Sequence, residues 1–199
     1  AALGSGDLPR PSIPLRHSDL IVNGPRDLRV GHELQKELIS ADRVDVLVSF
    51  LKWSGLRVIL PQLREFIGRR PGGLRVLTTT YTGATEARAV EELLKIGAEV
   101  RVSYDTQRTR LHAKAWLFHR ASGYSTALIG SSNLSHSALV DGCEWNVRLS
   151  QIDNAPLLTK FQTTFDQYWA ETTFEPYDAE RFISATEEPP SSALEAVVR

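Results

Sequence analysis

His112 and Lys114 stand two residues apart in the stretch Leu111-His112-Ala113-Lys114-Ala115-Trp116-Leu117-Phe118. Side chains alternate along a strand, so this spacing predicts an imidazole and an ammonium on one face, with Leu111, Ala113, Ala115 and Leu117 on the other. Further on, Gly130-Ser131-Ser132-Asn133 leaves an apolar run and enters a helical pattern over 132–140. A hydroxyl, a carboxamide and the free N–H groups of a helix start form a donor set suited to an anion, and with the histidine and lysine they suit a phosphate. In Glu144-Trp145-Asn146-Val147-Arg148-Leu149 the alternation predicts Glu144, Asn146 and Arg148 on a polar face, with Trp145, Val147 and Leu149 turned inward. If Glu144 accepts the Nδ1 proton of His112, it fixes the tautomer that leaves Nε2 as a nucleophile and stabilises a cationic histidine intermediate.

The elements that must hold these groups follow from hydrophobic periodicity. Residues 31–40 read as a helix, 44–50 as the first long strand, 56–69 as a helix, 74–80 as a strand, 85–96 as a helix and 100–104 as a strand. This β-α-β-α-β order, with crossovers of a dozen or more residues, predicts parallel strands covered by helices. The pattern then changes: 110–118 and 126–129 are strands around a polar turn at 120–124, 145–149 is a strand by alternation, and 155–169 is a long amphipathic helix. There is no internal repeat. Residues 1–18, rich in Gly, Pro and Ser, read as a flexible arm, 19–178 as the domain, and 179–199 as a linker or tail. A chain without Met that ends in an acidic, Pro- and Ser-containing stretch reads as a piece of a longer protein.

A length of 199 residues with 42% hydrophobic content supports one ordinary domain with a sizeable core. No stretch approaches the roughly 20 apolar residues of a membrane span, and no apolar leader is visible, so the expected location is cytoplasmic. Cys143 stands alone, which excludes an internal disulfide and argues against structural zinc; it reads as a small buried hydrophobe. A net charge of -1 gives no global attraction to polyanions, so any such site must be local. Between 101 and 120 the cations Arg101, Arg108, Arg110, Lys114 and Arg120 outnumber Asp105, the lone carboxylate, and flank the candidate site, as a phosphate backbone would require. Trp53 and Tyr81 follow predicted parallel strands at their carboxyl ends, where such sheets place ligands, and suit base stacking. Trp116, Trp145 and Trp169 read as core, and His119 and His136 as surface or supporting residues.

His112-x-Lys114 followed by Gly130-Ser131-Ser132-Asn133 resembles the HKD signature of the phospholipase D superfamily. The family pattern places an Asp five residues after the Lys, where this chain has His119. Within the superfamily, residues 74–149, including Tyr81-Thr82-Gly83-Ala84-Thr85 and Thr109-Arg110-Leu111-His112-Ala113-Lys114, resemble PLD-like modules at the N-terminus of some bacterial superfamily 2 helicases. Related single-motif domains occur in metal-independent nucleases, including restriction endonucleases. The resemblance implies an α/β layered phospholipase D-like fold, with a mixed, mostly parallel sheet and helices on both faces. It implies a phosphohistidine mechanism with neither metal nor other cofactor: His112 attacks phosphorus, Lys114 and Asn133 bind the non-bridging oxygens, Ser131 supports them and Glu144 orients the imidazole. A second histidine must protonate the leaving oxygen, and since no other His-x-Lys occurs, a homodimer with one composite site is expected. The implied activity is that of a DNA nuclease, with Arg108, Arg110, Arg120, Tyr81 and Trp53 as nucleic-acid contacts, within a larger helicase or restriction-type protein. A binding or dimerising module that keeps the pocket without turnover is the alternative. A lipid phosphodiesterase finds less support, because no amphipathic helix with a basic face is visible.

Overall fold

The protein's structure, a computed structural model, describes residues 11–24, 26–81, 83–105 and 111–187. Alternation along the strands sorts their side chains onto two faces. Val44 and Val46 of β2 (Arg43–Leu47) and Val76 of β3 (Leu74–Thr79) enter the main core, while Leu47 and Leu77 enter a second one on the opposite face. The main core is closed by apolar stripes of α1 (Val30–Ser40), α2 (Trp53–Arg69) and α3 (Ala87–Lys95). The opposite face is covered by one long helix, α4 (Gln151–Ala170), through Leu158, Phe161 and Phe165. Helices therefore lie on both faces, as the periodicity predicts.

The remaining strands are β1 (Asp19–Ile21), β4 (Glu99–Ser103), β5 (Ala115–His119), β6 (Thr126–Gly130), β7 (Asn146–Ser150) and β8 (Phe174–Pro176). They form a single eight-stranded mixed sheet in the order β1-β7-β6-β5-β2-β3-β4-β8. One expectation needs correction, because only β2–β3 and β3–β4 are parallel pairs and every other pair is antiparallel. The helical crossovers α2 and α3 enforce the parallel pairs, whereas the short turn after β5 permits only an antiparallel return.

The domain also reaches past both expected boundaries. Ile13 is buried in the main core, Ser12 N–H donates to Glu33, and Arg148 donates to the carbonyls of Pro14 and His17, so this segment is tied to the domain. At the other end α5 (Ala179–Glu187) buries Phe182 beside Tyr177, with ring centroids 5.4 Å apart.

The interior of β7 reverses a second expectation. Asn146 and Arg148 are buried, whereas Trp145 is 67% exposed and Val147 is exposed. The reason is a buried ion cluster under α1: the Glu37 carboxylate accepts from Arg148 Nε at 2.7 Å, from Thr126 Oγ1 at 2.8 Å and from Arg120. Alternation fixes which residues share a face; the polar cluster turns the polar face inward. Arg120 is thereby buried at 6% exposure and belongs to the fold, not to a nucleic-acid surface.

Candidate active site

The segment 111–114 enters the sheet just before β5 begins. Leu111 is buried in the α4-side core, and Lys114 O accepts from Gly130 N at 3.1 Å, which ties the segment to the end of β6. His112 is exposed and Lys114 only 7% exposed, yet the two meet: Lys114 Nζ lies 3.0 Å from His112 Nε2, 3.1 Å from Nδ1, and donates to His112 O at 2.7 Å. Among the described residues no carboxylate forms an ion pair with this ammonium. Burial pushes it below its usual range, and the charge of Glu144 opposes that shift from a distance. A buried cation without a counter-ion is costly, and a phosphate oxygen would relieve the cost.

The turn after β6 is held from two sides. A Cβ on Gly130 would overlap Trp145 O and Asn146 Oδ1, so only glycine lets the ends of β6 and β7 approach this closely. Asn146, itself buried, donates from Nδ2 to Ser132 Oγ at 2.8 Å and accepts from Ser132 N at 3.4 Å. From the other side, Phe50 N donates to Asn133 Oδ1 at 3.1 Å and Lys52 N to Leu134 O at 2.8 Å. Using Oδ1 in this way orients the buried Asn133 amide and leaves Nδ2 as the donor for an anion. The expected helix over 132–140 shrinks to one π-helical turn, Ser137–Asp141. Free helix N-terminal N–H groups therefore do not follow Asn133 directly.

Glu144 hydrogen-bonds to Ser131 rather than to His112: Ser131 Oγ donates to its carboxylate and accepts from Trp145 N at 3.0 Å. His112, Lys114, Ser131, Asn133 and Glu144 thus sit on three backbone segments stitched together at one end of β5, β6 and β7. His119, where the family Asp is expected, lies at the far end of β5, and its Nε2 is 2.6 Å from Asp45 Oδ2. The carboxylate comes from β2 instead, and Arg75 Nε bonds its other oxygen at 2.7 Å. Burial alone would raise the Asp45 carboxyl, but the hydrogen bonds from His119 and Arg75 hold it below its usual value.

The expected nucleic-acid residues scatter. Arg108 and Arg110 lie outside the described residues. Arg101 donates to Trp169 O and stacks on that ring, so it too supports the fold. Tyr81 follows β3 and Trp53 opens α2, both at the carboxyl ends of the parallel strands. Trp53 packs on the main core, and its ring carries the Arg88 guanidinium at 4.1 Å. Cys143 is exposed, contrary to expectation. Sequence reasoning missed the loop 50–52 and the bracing role of Asn146; for Asn146 the signal was its place two residues after Glu144 on the same strand face.

A family model described as cardiolipin synthase, PLD-like domain, matches residues 36–169, and the chain belongs to this phospholipase D-like family. No curated protein matches the chain. Among solved structures it is similar to a phospholipase D family member, Nuc from Salmonella typhimurium, with a TM-score of 0.60 and 14% identity over 82% of this chain and 99% of that one. It is also similar to NucT from Helicobacter pylori, with a TM-score of 0.57 and 15% identity over 81% of this chain and 99% of that one. At these identities the likeness shows the fold.

Proposed function

We propose that the chain is a phosphodiesterase working through a phosphohistidine, and that its substrate is a nucleic acid. The observation that carries this reading is the buried Lys114 ammonium, without an ion-pair partner among the described residues, against the exposed His112 imidazole, with Asn133 and Ser131 on the adjoining turn. In the reaction, His112 Nε2 attacks phosphorus and the P–N bond forms as the P–O bond to the leaving oxygen breaks. A second imidazole gives that oxygen its proton, then takes one from water, whose oxygen attacks phosphorus and breaks the P–N bond. Lys114 and Asn133 carry the charge that gathers on the non-bridging oxygens. In this scheme the ammonium supplies the positive charge that a metal ion supplies in other phosphoryl-transfer sites.

The second imidazole is the partner subunit's His112 in a two-fold homodimer. Support comes from the uncovered sheet face beside the site: Leu20, Val147 and Ile129 are exposed cross-strand neighbours, flanked by Trp145 and by Ile152 and Leu157 of α4. An apolar cavity of about 370 Å³ opens on the same face, lined in part by Ile129, Leu157, Ala113 and Phe161. Trp145 is hydrogen-bonded to Ser131 through its backbone, so this face is continuous with the site, and a second copy seated on it brings its own histidine near. The resemblance to helicase-associated modules supports a place within a larger helicase or restriction-type protein. Among the described residues no helix is long and apolar enough to cross a membrane.

Cleavage of DNA in EDTA by the wild-type chain, lost in His112→Ala, is the expected result. Sedimentation velocity should show a dimer that Trp145→Ala converts to monomer, since an aromatic anchor at an interface centre contributes about 2 kcal/mol or more. One observation favours the silent-module alternative: Glu144 is engaged by Ser131, and among the described residues no carboxylate bonds the His112 imidazole. Tight DNA binding without cleavage by the dimer would select that alternative.

A further inference from the structure

Lys52, on the loop after β2, and Arg88, on α3, are two cations that nothing in the chemistry above uses. Lys52 Nζ lies 5.9 Å from the centre of the Phe50 ring, and the Arg88 guanidinium lies 4.1 Å from the centre of the Trp53 ring. Neither cation forms an ion pair with a carboxylate among the described residues. Glu86 accepts from the Trp53 N–H at 2.7 Å. Each cation therefore lies over an aromatic ring without an ion-pair partner among the described residues, an arrangement that limits the entropy lost when an anion binds.

Their position gives the charge a direction. Phe50 N bonds Asn133 Oδ1 and Lys52 N bonds Leu134 O, so the loop is hydrogen-bonded to the turn that supplies the candidate phosphate site. Trp53 backs onto the main core on one side and carries Arg88 on the other, so it presents the guanidinium rather than an open face for a base. Resting on the phosphodiesterase reading above, we infer that Lys52 and Arg88 form a rail for the phosphates flanking the scissile one. The rail specifies a polynucleotide backbone, which carries a phosphate at every step, over a diester with one phosphate. Phe50 and Trp53 are positioning residues that hold the two cations at the exit of the site.

The test is the salt dependence of binding. A fluorescein-labelled oligodeoxythymidine is titrated by anisotropy against the full chain carrying His112→Ala, with and without Lys52→Gln and Arg88→Gln together. Removing two phosphate contacts on a single strand should reduce the slope of log K against log salt by about 1.4. Lys52→Arg with Arg88→Lys keeps both charges and should keep the parent slope, which separates lost charge from altered packing. An unchanged slope in the Gln pair overturns the rail. So does an unchanged slope accompanied by lost sedimentation with phosphatidylglycerol vesicles, which would assign the cations to a lipid surface. Because the slope is read on a chain that cannot turn over, it stands apart from the phosphohistidine reading, which wild-type hydrolysis of bis-p-nitrophenyl phosphate decides separately.

Discussion

Glu37 and Lys114 are both charged and both nearly sealed from water, yet their surroundings differ completely. Around Glu37 opposite charges are in direct contact: Arg148 at 1% exposure and Arg120 bond its two oxygens, and Thr126 adds a hydroxyl. Lys114 instead donates to a neighbouring carbonyl and meets an imidazole, neither of which neutralises the ammonium. The buried Glu37 cluster, in which every charged group contacts an opposite one, ties α1 to β6, β7 and the residue after β5. A buried ammonium with no ion-pair partner among the described residues favours an anion beside it, which is what a phosphate site requires.

The largest effect should come from breaking the Glu37 cluster. Glu37→Ala strands two buried guanidinium groups and should cost about 3–5 kcal/mol in urea unfolding. Lys114→Met, by contrast, removes a buried charge that pairs with no carboxylate among the described residues, so its stability should stay within about 1 kcal/mol of wild type while His112 chemistry is lost. If Lys114→Met proved as destabilising as Glu37→Ala, the distinction between the two regions would fall.

A smaller effect belongs to the Asp45 cluster. Asp45→Asn gives up charged hydrogen bonds to His119 and Arg75 and should cost about 2 kcal/mol near neutral pH. The sign of its pH dependence follows from the direction of the shift. The folded-state carboxyl lies below its ordinary value of 3.8, so its contribution is present above that pH and fades as pH falls through the lower folded value. Urea midpoints followed from pH 5 to pH 2 should therefore fall more steeply in wild type than in Asp45→Asn.

The smallest effect tests the reach of Glu144. Its charge favours the Lys114 ammonium against burial, so Glu144→Gln should lower the lysine further. The alkaline limb of the pH–rate profile should move to lower pH, because a neutral amine no longer holds the phosphate. A profile that keeps its alkaline limb would mean that Lys114 does not bind in its charged form.

Much of this was legible in the sequence, for identifiable reasons. Long amphipathic runs such as α2 and the alternating valines of β2 declare themselves by period, and the His-x-Lys and Gly-Ser-Ser-Asn stretches by the scarcity of such donor sets. The inward-facing side of β7 was not legible: alternation groups Asn146 with Arg148, but only Glu37, far away in the chain, makes their face the buried one. For the same reason Arg120 looked like part of a basic patch, since its partner lies on α1 and not nearby in sequence. The segment 11–18 and α5 were hidden because single apolar anchors, Ile13 and Phe182, leave no periodic signature.

The central claim is that His112 becomes covalently attached to phosphorus. The direct measurement is peptide mass spectrometry of the wild-type chain quenched at alkaline pH after mixing with bis-p-nitrophenyl phosphate in EDTA, with His112→Ala alongside. A phosphoryl adduct on His112, absent from the variant, is the predicted result. Turnover in EDTA that persists in His112→Ala, or an adduct on another residue, would contradict it.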